Sequence, residues 1–173
     1  GNGRVLLDMG TGCGKSEFVI RKMAGWAVDQ FLEGNYDNRI LMICPLTLLH
    51  EDLEKRRRAE YLMAFGDDSE EGWDLYKEVL TVITYQKLEQ LCKGDASDQR
   101  ILQELLDRHR IIIADECHYW SEFSAFNINT HYSRDTLLQA EKDHTVVYMS
   151  ATGRDTWKLL EEKGGPTQSE RIY

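Results

Sequence analysis

The stretch Leu6 to Ser16, L-L-D-M-G-T-G-C-G-K-S, constrains the fold of this chain more than any other. The apolar run Val5-Leu6-Leu7 enters a glycine-rich turn, and an amphipathic segment begins at Gly14-Lys15-Ser16. That order predicts a strand, a phosphate loop and the first turn of a helix. The β and γ phosphates of a nucleotide need several converging backbone N–H groups, and glycine lets a backbone curl that tightly without Cβ clashes. Gly10, Gly12 and Gly14 supply this freedom, with Thr11 and Cys13 between them in the loop. The first N–H groups of a helix have no internal partner and sit at the positive end of its dipole, which favours an anion there. Lys15 adds a mobile charge for the phosphates, and the Ser16 hydroxyl is the expected Mg2+ ligand. Met9 departs from the general pattern G-x-x-x-x-G-K-[ST], which has glycine at that place.

Apolar segments alternate with turn clusters along the rest of the chain. Phe18, Val19, Met23, Ala27 and Phe31 recur near helical spacing and precede the turn cluster Gly34 to Asn38. Arg39 to Cys44 is a continuous apolar run that suits a strand buried on both faces, and Pro45 stops it. Leu48, Leu49, Leu53, Leu62 and Met63 fit one helix face, and Gly66 to Gly72 reads as an acidic loop. Val79 to Thr84 predicts a strand rich in β-branched residues, followed by short helices through Leu88 and Leu91 and through Ile101 to Leu106. Arg110 to Asp115 predicts the most apolar strand of the chain, Ser121 to Arg134 has no clean period, and a helix through Leu137 and Leu138 leads to the strand Thr145 to Met149. A terminal helix is expected around Trp157 to Glu162. This alternation implies an α/β domain with a mostly parallel sheet, right-handed crossovers and helices on both faces. Ligands of such sheets bind at the carboxyl ends of the strands, where each motif singled out here falls.

An acidic pair closes the most apolar strand. Asp115 is placed to hold Mg2+, and Glu116 to orient or deprotonate the water that attacks a γ phosphate. Adjacent residues point to different faces, which suits two roles.

These motifs together resemble the first RecA-like domain of superfamily two helicases and translocases, the DExH and DEAD-like enzymes. Met9 to Ser16 matches that family's A-x-x-G-x-G-K-[ST] motif except at the alanine; Asp115-Glu116-Cys117-His118 fits D-E-x-H, and Ser150-Ala151-Thr152 is the S-A-T motif. Pro45 to Leu49 is similar to motif Ia, and Ile83 to Gln86 to the T-Y-Q segment of DNA translocases of the restriction-enzyme and remodeller type. The resemblance implies ATP and Mg2+ as ligands, with Gly10 to Ser16 binding nucleotide, Ser16 and Asp115 the metal, and Lys15 and Glu116 serving catalysis. It implies that His118, Ser150 and Thr152 couple the nucleotide site to a nucleic-acid track touched by Pro45, Thr47, Thr84 and Tyr85. It further implies a nucleic-acid partner, DNA before RNA, and a second RecA-like domain that this chain does not contain. Gly153 stands where many relatives have proline, and Cys117 is uncommon in its motif.

Residues 1–173 are thus expected to form one RecA-like P-loop domain, the N-terminal half of an ATP-dependent helicase or translocase and an excised piece of a longer protein. On its own it is expected to hydrolyse ATP very slowly. The alternatives are a duplex-DNA translocase subunit of a restriction or remodelling machine, a nucleotide switch module without a motor, and a viral packaging ATPase. The net charge of −9 argues against general affinity for phosphate backbones, which leaves Lys55-Arg56-Arg57-Arg58 as a local contact or a solvated helix face. The four cysteines lack metal-ligand spacing, so reduced thiols are expected. With no membrane-spanning run or signal pattern, a cytoplasmic location is expected.

Overall fold

The computed structural model describes residues 3–8, 10, 12, 14–45, 50–122 and 128–165. Its strands are β1 (Gly3–Asp8), β2 (Ile40–Cys44), β3 (Leu80–Thr84), β4 (Ile111–Ala114) and β5 (Thr145–Ser150), in one sheet ordered β1-β5-β4-β2-β3. Every pairing is parallel, with Leu6 beside Tyr148, Ile113 beside Val147 and Ile43 beside Ala114. A parallel sheet must be covered on both faces, and β2 obeys this strictly: all of I-L-M-I-C is buried.

Two cores result. The helix after the phosphate loop is α-helical over α1 (Lys15–Glu17), π-helical over Phe18–Met23 and α-helical again over α2 (Ala24–Leu32). With α3 (His50–Phe65) and α4 (Glu70–Val79), it covers one face through Val19, Ile20, Ala24, Tyr61, Trp73 and Tyr76. The other face carries α5 (Tyr85–Lys93), α6 (Ala96–Asp107), α7 (Tyr119–Glu122), α8 (Thr130–Ala140) and α9 (Arg154–Gly164). Its core includes Leu88, Trp120, Leu137, Trp157 and Leu160. The pleat divides β4 between them, Ile112 and Ala114 toward the second core and Ile113 toward the first.

A largely buried ion pair ties β1 to the chain after α8 and α9. Arg4 Nε and Nη2 each lie 2.9 Å from an oxygen of Glu141, and Arg4 Nη1 donates to the Gly165 carbonyl at 3.0 Å. The Tyr148 hydroxyl donates to Glu141 Oε1 at 2.6 Å, so side chains from β1 and β5 meet at one carboxylate just after α8, and Arg4 extends the cluster to the end of α9.

Local departures from the sequence expectations have physical causes. The acidic loop ends at Ser69, whose hydroxyl accepts from Gly72 N at 3.0 Å and starts α4. Trp73, Tyr76 and Val79 form a buried helical stripe there, so β3 begins at Leu80. Of the apolar face expected on α3, Leu62 is 43% and Met63 70% exposed, while Tyr61 and Arg57 turn inward. Arg57 donates to the Leu80 carbonyl at 2.7 Å and lies over the rings of Trp73 and Tyr76, and Arg58 binds Glu70 at 2.6 Å. Arg57 is therefore structural, and Arg58 stands in a surface ion pair. Phe18, expected on the inner face of its helix, is exposed. Leu48 and Leu49 lie outside the described residues, as does the stretch 123–127 within Ser121 to Arg134, where α8 begins at Thr130.

Candidate active site

The carboxyl ends of β1, β4 and β5 bring three separate stretches of sequence together. Gly12 and Gly14 adopt left-handed φ values of 79° and 77°, a conformation that costs any residue with a Cβ about 1–2 kcal/mol. Gly14 caps α1, its carbonyl accepting from Phe18 N at 2.7 Å, and the helix start thereby faces the loop. Lys15 is buried, with Nζ 3.4 Å from the Gly10 carbonyl and 3.7 Å from Glu116 Oε1. Thr11, Cys13 and Met9 of the loop lie outside the described residues.

Ser16 and Asp115 meet across the site. The Ser16 hydroxyl donates to Asp115 Oδ2 at 3.1 Å, although 99 residues separate the two. Asp115 is fixed by its own N–H, which donates to the Ile43 carbonyl at 2.8 Å, and Asp115 Oδ1 accepts from Glu116 N at 3.0 Å. Burial pushes the Asp115 carboxyl above its ordinary pKa and the neighbouring Glu116 charge adds to this; Ser16, the Glu116 N–H and Lys15 pull it back. A cation beside Asp115 would relieve that cost.

Glu116 has a φ of 47°, a left-handed value shared by no other non-glycine among the described residues. Its Oε2 is buried 3.2 Å from His118 Nδ1, yet that nitrogen aligns with the Ser150 hydroxyl at 3.0 Å, and among the described residues Oε2 accepts no hydrogen bond. Ser150 Oγ also accepts from Thr152 N at 3.1 Å, so His118, Ser150 and Thr152 are joined through one hydroxyl. Cys117 is fully buried and its N–H donates to the Met149 carbonyl at 3.0 Å; burial holds its thiol neutral, the state of a small apolar side chain. A Cβ on Gly153 would lie 2.2 Å from the Trp157 ring, so the buried indole fills the space that a larger residue would occupy.

These donors fit Mg2+. It is a hard cation that takes oxygen ligands, commonly one or two carboxylates together with the phosphates of a substrate. A hydroxyl and a buried carboxylate oxygen 3.1 Å apart, beside a positive-φ glycine loop, form such a set. Among the described residues no group of three or more His, Cys, Asp or Glu side chains is arranged to hold a metal ion.

The residues expected along a nucleic-acid track separate. Pro45 is half-buried at the end of β2, and Thr84 caps α5, its hydroxyl accepting from Lys87 N at 3.1 Å. Thr47 lies outside the described residues. Tyr85 requires correction: it is fully buried and its hydroxyl donates to the Asp115 carbonyl at 2.9 Å, which leaves no surface to meet a backbone. The sequence reading also missed Glu89, a buried carboxylate that accepts from the Tyr119 hydroxyl at 3.1 Å. A readable signal existed, because Glu89 falls one turn after Tyr85 on the apolar stripe of α5 with Leu88 and Leu91.

The family model described as Type III restriction enzyme, res subunit, matches residues 1–155. The chain belongs to this family. It is thus a RecA-fold, helicase-like ATP-binding domain of superfamily two, and res-subunit domains of this kind are ATP-dependent. A comparison with curated proteins finds no match. Among the described residues no helix is long and apolar enough to cross a membrane.

Proposed function

We propose that this res-subunit domain is the nucleotide-binding half of an ATP-driven nucleic-acid motor, with DNA as its track. The observation that carries the proposal is the Ser16–Asp115 hydrogen bond, which joins the phosphate loop to the acidic strand end. In this reading Gly10 to Ser16 bind the phosphates, Lys15 supplies positive charge, and Ser16 with Asp115 would hold Mg2+. When bound, Mg2+ supplies charge neutralisation on the phosphate oxygens. Glu116 accepts a proton from the attacking water; its side chain is 35% exposed and its Oε1 lies 3.7 Å from Lys15 Nζ, beside the phosphate loop. His118, through Ser150 and Thr152, carries the state of the site toward the track, for which Pro45, Thr47 and Thr84 remain the proposed contacts.

A second RecA-like domain completes the motor in this proposal and contributes the arginine fingers, so the chain alone turns ATP over very slowly. The family description favours one version of the motor, a duplex-DNA translocase subunit of a restriction machine. A cytoplasmic setting accompanies it, supported by free thiols at Cys44, Cys92 and Cys117. The test is ATP hydrolysis by the intact protein, alone and with single-stranded DNA, duplex DNA or RNA, with Lys15→Ala as the blank. Stimulation by duplex DNA that is lost in the variant is expected. ATP binding without stimulation by any nucleic acid would instead identify a nucleotide switch.

A further inference from the structure

We propose that Tyr85 and Glu89, on the inner face of α5, are positioning residues for ATP hydrolysis that hold the Asp115–Glu116 peptide in its working orientation. The proposal rests on the reading of Glu116 as the residue that activates water.

The peptide between Asp115 and Glu116 sits in an unfavourable place. A φ of 47° at Glu116 is sparsely populated by residues with a side chain, and such conformations persist only where the surroundings determine them. A peptide unit is planar, so contacts at its oxygen and its nitrogen together fix its plane. Both contacts are present here. The Tyr85 hydroxyl donates to the Asp115 carbonyl at 2.9 Å, and the Glu116 N–H donates to Asp115 Oδ1 at 3.0 Å. The first comes from α5 and the second from the site itself, so Tyr85 is the external brace.

Tyr85 is held in turn. Its ring stacks on Tyr119, with centroids 4.6 Å apart and planes 8° from parallel, and meets Trp120 edge-on at 5.6 Å. The Tyr119 hydroxyl donates to Glu89 Oε1 at 3.1 Å, and Ser133 Oγ lies 3.2 Å from the same oxygen. Trp120 Nε1 donates to Ser133 Oγ at 3.0 Å, which closes the network onto α8. Glu89 therefore aligns the stack that aligns Tyr85. Neither residue touches the phosphate loop in any of these contacts, and the predicted effect is on the hydrolytic step, with nucleotide binding preserved.

The experiment compares Tyr85→Phe, Glu89→Ala, Glu89→Gln and Glu116→Gln in the intact protein. It measures the dissociation constant of a fluorescent ATP analogue, single-turnover hydrolysis with the stimulating nucleic acid, and thermal melting. Tyr85→Phe should bind nucleotide within about twofold of the parent and hydrolyse it about tenfold more slowly, the effect of losing one orienting hydrogen bond. Glu89→Ala should behave similarly, and Glu89→Gln, which keeps a carbonyl acceptor for Tyr119, should restore most of the rate. Hydrolysis at the parent rate by Tyr85→Phe, with Glu116→Gln inactive, overturns the positioning role and leaves the reading of Glu116 standing. Turnover retained by Glu116→Gln overturns both. Parallel loss of binding, rate and melting temperature in Tyr85→Phe reduces the residue to core packing and also overturns the proposal. If Glu89→Ala fails to fold, Tyr85→Phe decides alone, since it removes a single oxygen atom.

Discussion

Replacing Arg4 by alanine should destabilise the domain by about 3–5 kcal/mol, the usual cost of stranding one member of a buried ion pair. The side chains of Arg4 and Glu141 are 5% and 14% exposed, so solvent screens the pair weakly. Their contact is bidentate, at 2.9 Å for each bond. Removing the guanidinium leaves Glu141 with the Tyr148 hydroxyl as its named donor and frees the Gly165 carbonyl at the end of α9. A domain of this size is stable by about 5–15 kcal/mol in all, so the loss would be a large fraction. At about 2–4 °C per kcal/mol, the melting temperature should fall by roughly 6–20 °C. Urea unfolding of the chain followed by circular dichroism measures the change, with a double-mutant cycle through Glu141→Gln. Arg4→Met with Glu141→Gln should recover much of the loss, because no buried charge is left unpaired and the amide still accepts from Tyr148. A single-variant cost below about 1 kcal/mol, or a cycle that is additive within about 0.5 kcal/mol, would refute this account of the pair.

Three further outcomes follow from particular contacts. Glu116→Gln should keep ATP binding and lose most hydrolysis, measured by analogue binding beside steady-state turnover; unchanged turnover would assign the base elsewhere. Gly153→Ala should cost about 1–3 kcal/mol by forcing the buried Trp157 ring aside, and Trp157→Leu in the same chain should relieve much of that cost; a neutral Gly153→Ala contradicts the packing. His109 should titrate below the ordinary imidazole range, chiefly through burial, with Arg108 and Arg39 contributing. Its ring is held neutral between the Leu105 carbonyl and the Thr81 hydroxyl, at 2.6 Å and 2.9 Å. The unfolded chain then binds the extra proton first, so stability should decline as pH falls below about 6.5, and an NMR titration placing the His109 pKa above that value would reverse the sign.

Some of this architecture is written locally and some is not. The strands β2 and β4 are legible because a strand covered on both faces must be apolar throughout, and Ile40 to Cys44 and Ile111 to Ala114 are. Gly12 and Gly14 are legible because the loop needs left-handed backbone. The helix α4 is hidden because its buried stripe of Trp73, Tyr76 and Val79 is embedded among acidic residues and follows a turn cluster. Arg57 misleads for another reason: its aliphatic stem and planar head satisfy a core that composition would fill with an apolar side chain. The strand order and the role of Tyr85 depend on residues far apart in the chain. Tyr85 and Asp115 are 30 positions apart, and no local pattern announces their hydrogen bond.

The placement of β4 and β5 between two separately packed faces bears on how the domain opens. Lys15 and Ser16 ride on the helix that covers one core, and the Asp115 turn is braced by Tyr85 from the other. A nucleotide held by both groups, as proposed, would act as a clasp across the two packed faces. Its binding energy is available only when both are formed, so the ligand raises the free energy of opening either one. Amides beneath α4 and beneath α8, far from the phosphates and on opposite faces, should gain hydrogen-exchange protection together when ATP binds.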